Sequence, residues 1–478
     1  MTTAVIRSFM NMSALGLVHG DPVVVFGLAR SGIAAARLLR QLGAEVTVTD
    51  AKPESELPTA DVAQLRELGI RLALGGHPAG LTDSARLVIL SPGVPLAVPG
   101  VARAASQFIP VIGELEVAWR LSEAPFVAIT GTNGKSTTTA LTGALLAELD
   151  RPVIVAGNIG TALCGHASEM TPQAIVAAEV SSYQLESTTM FHPRISVWLN
   201  LTPDHLDRHG TMDRYAEAKA LVFRRQTADE ALVANADDAV VARYARQAPC
   251  RVWWISTKRQ VSPGVYLADN QLVVDRGKGP EPLLPRTAIQ MPGLHNVENT
   301  LAAAAAALLA GVDPARLARA AAEFPGLEHR IEWCGHVSGI DFYNDSKATN
   351  VDATIRAVLS FDRPIVLIAG GRDKGTDLLP LADAAAGKIR HAVLIGEAAD
   401  RMAAAFHGQF AVSKEGSLAA AVRRARALAM PGDVVLLSPA CASFDMFHDF
   451  EHRGDTFKQI VRGLPSCVLQ RKIGGGAC

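Results

Sequence analysis

The chain has 478 residues, 49% apolar and 19% charged, which suits a large core and about three domains and argues against disorder. The net charge is −1 and no run of Lys or Arg exceeds two, so a basic face for nucleic acid is not expected. No apolar run reaches the roughly 18 residues of a membrane span, and the six cysteines (Cys164, Cys250, Cys334, Cys441, Cys467 and Cys478) form neither a Cys-x-x-Cys pair nor a zinc-finger spacing. They are expected to be reduced thiols of a cytoplasmic protein.

The first 20 residues hold Arg7 and a broken apolar patch, too little for a secretory signal. They read as a short extension, with Met10 or Met12 as alternative starts. Residues 23–27 form a strand, 31–42 a helix apolar on one face, 45–50 a strand ending in Asp50, and 87–91 a strand stopped by Pro92-Gly93. Alternating strands and helices predict a parallel sheet. The turn Gly27-Leu28-Ala29-Arg30-Ser31-Gly32 keeps only the outer glycines of G-x-G-x-x-G, with Ala29 in the middle. Asp50 stands where such folds place an acid on a ribose or base.

A second α/β domain is expected from about residue 122. Residues 126–130 are a buried strand, Gly131-Thr132-Asn133-Gly134 a tight turn, and Lys135-Ser136-Thr137 the opening of an Ala/Leu-rich helix over 138–149. Strand, glycine turn, lysine, hydroxyl and helix make a phosphate cradle: backbone N–H groups and the helix N-terminus face an anion, Lys135 adds a charge, and Ser136 or Thr137 suits Mg²⁺. Ile129 replaces the first glycine of the general eight-residue form, so the turn is a shortened variant. Apolar strands at 153–160, 174–186 and 195–200 carry polar residues at their C-terminal ends, the edge where open α/β sheets bind ligands. Glu179 and then Asp204-His205-Leu206-Asp207 fall there and suit a hard, octahedral cation. His205 and His209 have i, i+4 spacing, but Leu206 follows His205, which rejects a zinc-protease motif. Residues 251–290 are short strand candidates, 300–310 an Ala-rich helix, and Pro325-Gly326 a linker. A third doubly wound unit begins near residue 328, with strands at 365–371, 391–396 and 433–438 and a helix around 416–430.

Six segments taken in order resemble the Mur ligase family, which builds the peptide stem of bacterial peptidoglycan. They are Gly131 to Ser136, Glu179 to Glu186, Asp204 to Asp207, Gly293 to Asn299, Asn344 to Asn350 and Ser438 to Ser443. The resemblance runs from about residue 22 to 462. It implies an α/β chain in three domains: a Rossmann-like 1–121 for the UDP-substrate, a central P-loop ATPase domain with a mostly parallel sheet at 122–327, and a Rossmann-like 328–478 for the amino acid. It implies ATP, two Mg²⁺ and a cytoplasmic monomer without nucleic-acid or membrane partners.

By position, the resemblance puts ATP on Gly131, Thr132, Asn133, Gly134, Lys135, Ser136, Thr137, Asn296, Asn299, Arg330 and Asp345, with the two amides on adenine and Asp345 on the ribose. Ser136 and Glu179 would hold one Mg²⁺ and His205 the second. Lys219 would be N6-carboxylated by CO₂, which turns a cation into a second acidic arm near the metals; read without the family it is an exposed helical lysine. Lys347 would sit near the transferred phosphoryl group. Thr349, Lys374, Ser443 and Phe450 would hold glutamate. Gly27, Leu28, Ala29, Arg30, Ser31, Asp50, Ser91, Pro92, Gly93 and Asn158 would hold UDP-N-acetylmuramoyl-L-alanine, although Ala51-Lys52 departs from the family's usual Thr-Arg.

The implied reaction is ATP-dependent addition of D-glutamate, the alternative being L-glutamate or another amino acid. A diaminopimelate-adding relative would carry Asp-Asn-Pro-Arg, which is missing here. A folylpolyglutamate synthetase would start near the cradle. A nicotinamide dehydrogenase built on the first domain is disfavoured by Ala29, and a regulatory ATPase would not need the third unit.

Overall fold

The computed structural model describes residues 12–469. Cys478, Arg7 and Met10 lie outside the described residues. Three sheets follow one another along the chain. The first holds β1 (Pro22–Phe26), β2 (Glu45–Asp50), β3 (Arg71–Leu74), β4 (Leu87–Leu90) and β5 (Val111–Gly113), all parallel, in the order β3-β2-β1-β4-β5. Strands such as Val-Val-Val-Phe and Leu-Val-Ile-Leu are apolar throughout because helices cover both faces. The order reverses between β1 and β4, so a crevice opens at their C-terminal ends.

The second sheet holds β6 (Phe126–Thr130), β7 (Val153–Gly157), β8 (Ile175–Glu179), β9 (Ile195–Trp198), β10 (Ala231–Asn235), β11 (Arg251–Ser256), β12 (Gly264–Ala268), β13 (Gln271–Asp275) and β14 (Pro280–Pro285). Its order is β14-β13-β12-β11-β10-β9-β6-β8-β7, parallel from β7 to β12, with β13 antiparallel to β12. β10 was not expected from the sequence. Ala-Leu-Val-Ala-Asn is a short run between two helices, and it is a strand because β9 and β11 flank it.

The third sheet holds β15 (Glu332–Val337), β16 (Ile340–Asn344), β17 (Ile365–Gly370), β18 (Ile389–Ile395), β19 (Ala411–Lys414), β20 (Val434–Leu437) and β21 (Cys467–Val468). Its order is β19-β18-β17-β20-β16-β15-β21, parallel from β19 to β16 and antiparallel beyond. Among the described residues, the first two sheets belong to one compact unit (12–284 and 298–321) and the third to another (285–297 and 322–469). The five described cysteines are free thiols. Among the described residues no helix is long and apolar enough to cross a membrane.

Two helices depart from expectation. The helix after the cradle starts at Lys135, three residues early, and runs Lys135–Leu146; Ala147–Leu149 tightens to a 3₁₀ turn. The Ala-rich helix runs Leu294–Leu309, so it includes Asn296 and Asn299.

Candidate active site

In the first sheet, the three expected substrate segments follow the C-terminal ends of neighbouring strands β2, β1 and β4. They are tied together there. Leu28 donates its N–H to Asp50 Oδ2 (2.7 Å), Lys52 N–H reaches Asp50 Oδ1 (2.9 Å), and Ser91 Oγ donates to the Gly27 carbonyl (3.1 Å). Asp50 is thus also the clasp of its own turn. Arg30 donates to the carbonyl of Gly160, two residues after Asn158, which joins the first sheet's turn to the second sheet.

In the second sheet, β9, β6, β8 and β7 are neighbours, and their C-terminal ends present Asn200, the cradle, Glu179 and Asn158. Asn200 organises the cradle. Its Oδ1 accepts the N–H groups of Thr132 (3.1 Å) and Asn133 (2.9 Å), and its Nδ2 donates to the Asn133 carbonyl (3.2 Å). Thr132 Oγ1 donates to Thr202 O (3.3 Å) and accepts the Thr202 N–H (3.1 Å). Gly134 has φ +83°, and a Cβ there would lie 2.2 Å from Asn299 Oδ1, so only glycine fits. That amide oxygen accepts from Thr138 Oγ1 (3.2 Å), which places Asn299 against the cradle helix.

Two lysines converge on the cradle's carbonyls. Lys135 Nζ donates to Thr132 O and Lys219 Nζ to Gly131 O, each at 2.8 Å. Lys219 is 1% exposed, which overturns the exposed-lysine alternative. The helix Met212–Arg224 packs it beneath the cradle, with Nζ 4.8 Å from the Tyr215 ring centre. Burial, and then the charge of Lys135, push its ammonium well below the usual lysine range, towards the neutral amine.

Glu179 is 2% exposed. Its Oε1 accepts from Asn158 Nδ2 (2.7 Å), while Oε2 is buried without a hydrogen-bond partner. A buried carboxylate oxygen in that condition fits a cation. Among the described residues no group of three or more His, Cys, Asp or Glu is arranged to hold a metal. Mg²⁺ does not require one, because it keeps waters and phosphate oxygens in its shell.

The two histidines part ways. His205 has left-handed backbone (φ +53°), a half-exposed ring and Asp204 Oδ2 3.6 Å away. His209 is buried between Ser182 Oγ (3.0 Å) and Glu186 Oε1 (3.2 Å). Burial lowers its pKa against the pull of Glu186.

In the third sheet, β17, β20 and β16 are neighbours whose C-terminal ends carry Lys374, Ser443 and the stretch from Asp345 to Asn350. Asp345 Oδ2 accepts from Ser438 Oγ (2.8 Å) and Oδ1 accepts the Ile331 N–H (3.2 Å). Burial raises this carboxyl to about 7, opposed by Ser438 and Arg330. Arg330 and Lys347 are exposed, and Lys347 Nζ lies 5.4 Å from the Phe450 ring centre. Lys374 Nζ donates to Thr349 O (3.2 Å), and Ser443 is 2% exposed. Asn296 is buried, donating to Pro292 O (2.7 Å). Sequence reasoning missed Asn200 and Tyr215. Asn200 stands at the end of a predicted strand, and its polar side chain was the one available signal.

The chain matches the family described as Mur ligase MurD-like, N-terminal domain over residues 21–113, Mur ligase middle domain over 129–307, and Mur ligase, glutamate ligase domain over 329–441. It is 43% identical over 448 residues to a UDP-N-acetylmuramoylalanine--D-glutamate ligase of Acidobacterium capsulatum, covering 93% of this chain and 96% of that one. It is 45% identical over 454 residues to a relative of the same name from Myxococcus xanthus, covering 94% and 99%. Among solved structures, UDP-N-acetylmuramate-alanine ligase of Thermotoga maritima superposes with TM-score 0.53 at 20% identity, over 92% of this chain and 99% of that one, which speaks for the fold alone. With three family matches in chain order and relatives this similar along nearly its whole length, the chain belongs to the Mur ligase family.

Proposed function

We propose that this ATP-dependent ligase adds D-glutamate to UDP-N-acetylmuramoyl-L-alanine in the synthesis of peptidoglycan precursors. The carrying observation is the cradle at Gly131–Gly134, with Asn200 on its amides, two lysines on its carbonyls and an unpartnered Glu179 oxygen on the neighbouring strand. Near-full-length similarity to relatives of that name supports the choice of substrates.

The L-alanyl carboxylate oxygen bonds to the γ-phosphorus of ATP as the β,γ-bridging bond breaks, giving an acyl phosphate and ADP. The glutamate amine, having lost a proton, then bonds to the acyl carbon, and phosphate leaves from the tetrahedral intermediate. Both steps bring anions or electron pairs together, so positioning and charge compensation supply most of the acceleration. Lys135 and the N–H groups at the start of its helix bind the β/γ-phosphates, and Lys347 is the further cation for the transferred phosphoryl group. Glu179, Ser136 and His205 would hold two Mg²⁺, which supply charge neutralisation. Lys219 would carry a carbamate: a buried amine kept from full protonation is the form that reacts with CO₂. Asn296, Asn299, Arg330 and Asp345 are assigned to the nucleoside. Thr349, Lys374, Ser443 and Phe450 are assigned to glutamate. Residues 27–31, Asp50, Ser91, Pro92, Gly93 and Asn158 are assigned to the UDP-substrate. Domain limits of 1–121, 122–327 and 328–478, a cytoplasmic location and a monomeric state complete the reading.

The test is phosphate release with ATP, Mg²⁺ and UDP-N-acetylmuramoyl-L-alanine, with D-glutamate, L-glutamate or diaminopimelate as the acceptor amine. D-glutamate alone is expected to support turnover. Equal rates with L-glutamate would overturn the assigned handedness.

A further inference from the structure

Arg453 lies in the helix Phe450–Arg462 and is 1% exposed. Its Nε donates to Ser346 Oγ (2.9 Å), and Nη2 to Ser346 O (2.9 Å) and Cys441 O (3.2 Å). Nη1 donates to Cys441 O (3.2 Å) and Ala442 O (3.4 Å). None of these acceptors is a carboxylate. Ser346 Oγ donates onward to the Phe450 carbonyl (2.9 Å), and the Ala442 carbonyl also takes the Arg372 N–H (2.9 Å). The next residue, Gly454, lets the helix press onto β16: a Cβ there would lie 2.1 Å from His329 Nδ1 and 3.0 Å from Asn344 Nδ2.

A buried guanidinium whose hydrogen-bond acceptors are all neutral is costly, even with the Asp445 carboxylate acting on it from further away, and apolar side chains in such places are often as stabilising or more so. What the guanidinium adds is a rigid fork of donors that holds several carbonyls at fixed spacing. Two of the three residues it holds adjoin a residue assigned to the amino acid or the phosphoryl group, and the third, Cys441, lies in the same turn. Ser346 precedes Lys347, Ala442 precedes Ser443, and Phe450 is tied through Ser346.

We propose that Arg453 is a positioning residue. It sets the separation of the Lys347–Thr349 arm, the Ser443 turn and Phe450, and thereby the affinity for the incoming amino acid. The inference rests on the glutamate assignment made above.

The test is steady-state kinetics of Arg453→Lys and Ser346→Ala with each substrate varied in turn, alongside circular dichroism and thermal midpoints. Lysine keeps the charge but loses the fork. It should raise KM for D-glutamate about tenfold or more, with KM for ATP and for the UDP-substrate within about twofold. Millimolar guanidinium should partly restore glutamate affinity in Arg453→Ala. If the Arg453 variants do not fold, Ser346→Ala carries the test, because it removes the Nε acceptor and the link to the Phe450 carbonyl and leaves the Ser346 carbonyl on Nη2. A folded variant with unchanged KM for glutamate, or with all three KM values rising together, overturns the proposal. Wild-type enzyme that releases no phosphate with D-glutamate would instead overturn the glutamate assignment. The KM comparison is then made with whichever amino acid supports release, so the two failures are distinguishable.

Discussion

At the scale of single residues, burial separates two lysines that look alike in sequence. Lys135 begins a helix beside the cradle, while Lys219 is enclosed with its Nζ on Gly131 O. An arginine at 219 keeps a cation but forms no carbamate, so Lys219→Arg should be as inactive as Lys219→Ala. Acetate or formate should restore part of the alanine variant's turnover, because a short carboxylate replaces the missing anionic arm. Wild-type activity in Lys219→Arg would refute the carbamate. Asn200 supports a second test. Asn200→Asp keeps the acceptor for Thr132 and Asn133 but puts a negative charge beside the expected phosphates. KM for ATP should rise by a factor of tens, corresponding to about 2 kcal/mol, while KM for glutamate holds. An unchanged KM for ATP would remove Asn200 from the cradle's function.

At the scale of elements, the helix Glu114–Leu121 joins the first two sheets through two buried acids. Glu116 accepts the N–H groups of Thr189 (3.1 Å), Met190 (2.9 Å) and Phe191 (3.1 Å), fixing the loop after the helix Ser182–Glu186. Glu114 accepts the Cys164 N–H (2.5 Å) through Oε1, and its Oε2 is buried without a partner. Burial raises Glu114 from 4.5 to about 7, partly offset by Cys164. A carboxyl raised on folding holds its proton more tightly in the native state. Its contribution is therefore fully present below pH 4.5 and lost as pH rises through about 7. Glu114→Gln keeps an acceptor for Cys164 and removes the titration. The stability of the variant relative to wild type should thus grow between about pH 5 and pH 8, by up to ~3 kcal/mol. Thermal midpoints at several pH values check this; a difference that does not vary with pH would show Glu114 to be ionised in the fold.

At the scale of the whole molecule, three ligands are assigned to one chain, and the sites for ATP and for the UDP-substrate should respond independently. ATP at about a hundred times its Kd should stabilise the wild type by about 2.7 kcal/mol. In Lys135→Ala the unliganded thermal midpoint should stay close to wild type, because this side chain is not part of a packed core. Its shift with ATP should largely disappear, while its shift with UDP-N-acetylmuramoyl-L-alanine persists. Loss of both shifts would mean that the substitution damages the fold and not the cradle alone.

The sequence by itself determined the strand–turn–helix cradle, the alternation of strands and helices, and the order of the six segments. Each of these is written in a window of a few residues: apolar runs, a glycine beside a lysine and a hydroxyl, a polar residue at a strand end. Tertiary structure decided what no window contains. It made β17, β20 and β16 neighbours, so that Lys374, Ser443 and Asp345 stand on one sheet edge. It enclosed Lys219 against a carbonyl 88 residues away, laid Asn200 across amides 67 and 68 residues away, and set Arg453 on a serine at a separation of 107. An isolated lysine, asparagine or arginine has the same local pattern whether it is solvated or buried. Its role follows from the partners and the loss of water that only the packed chain imposes.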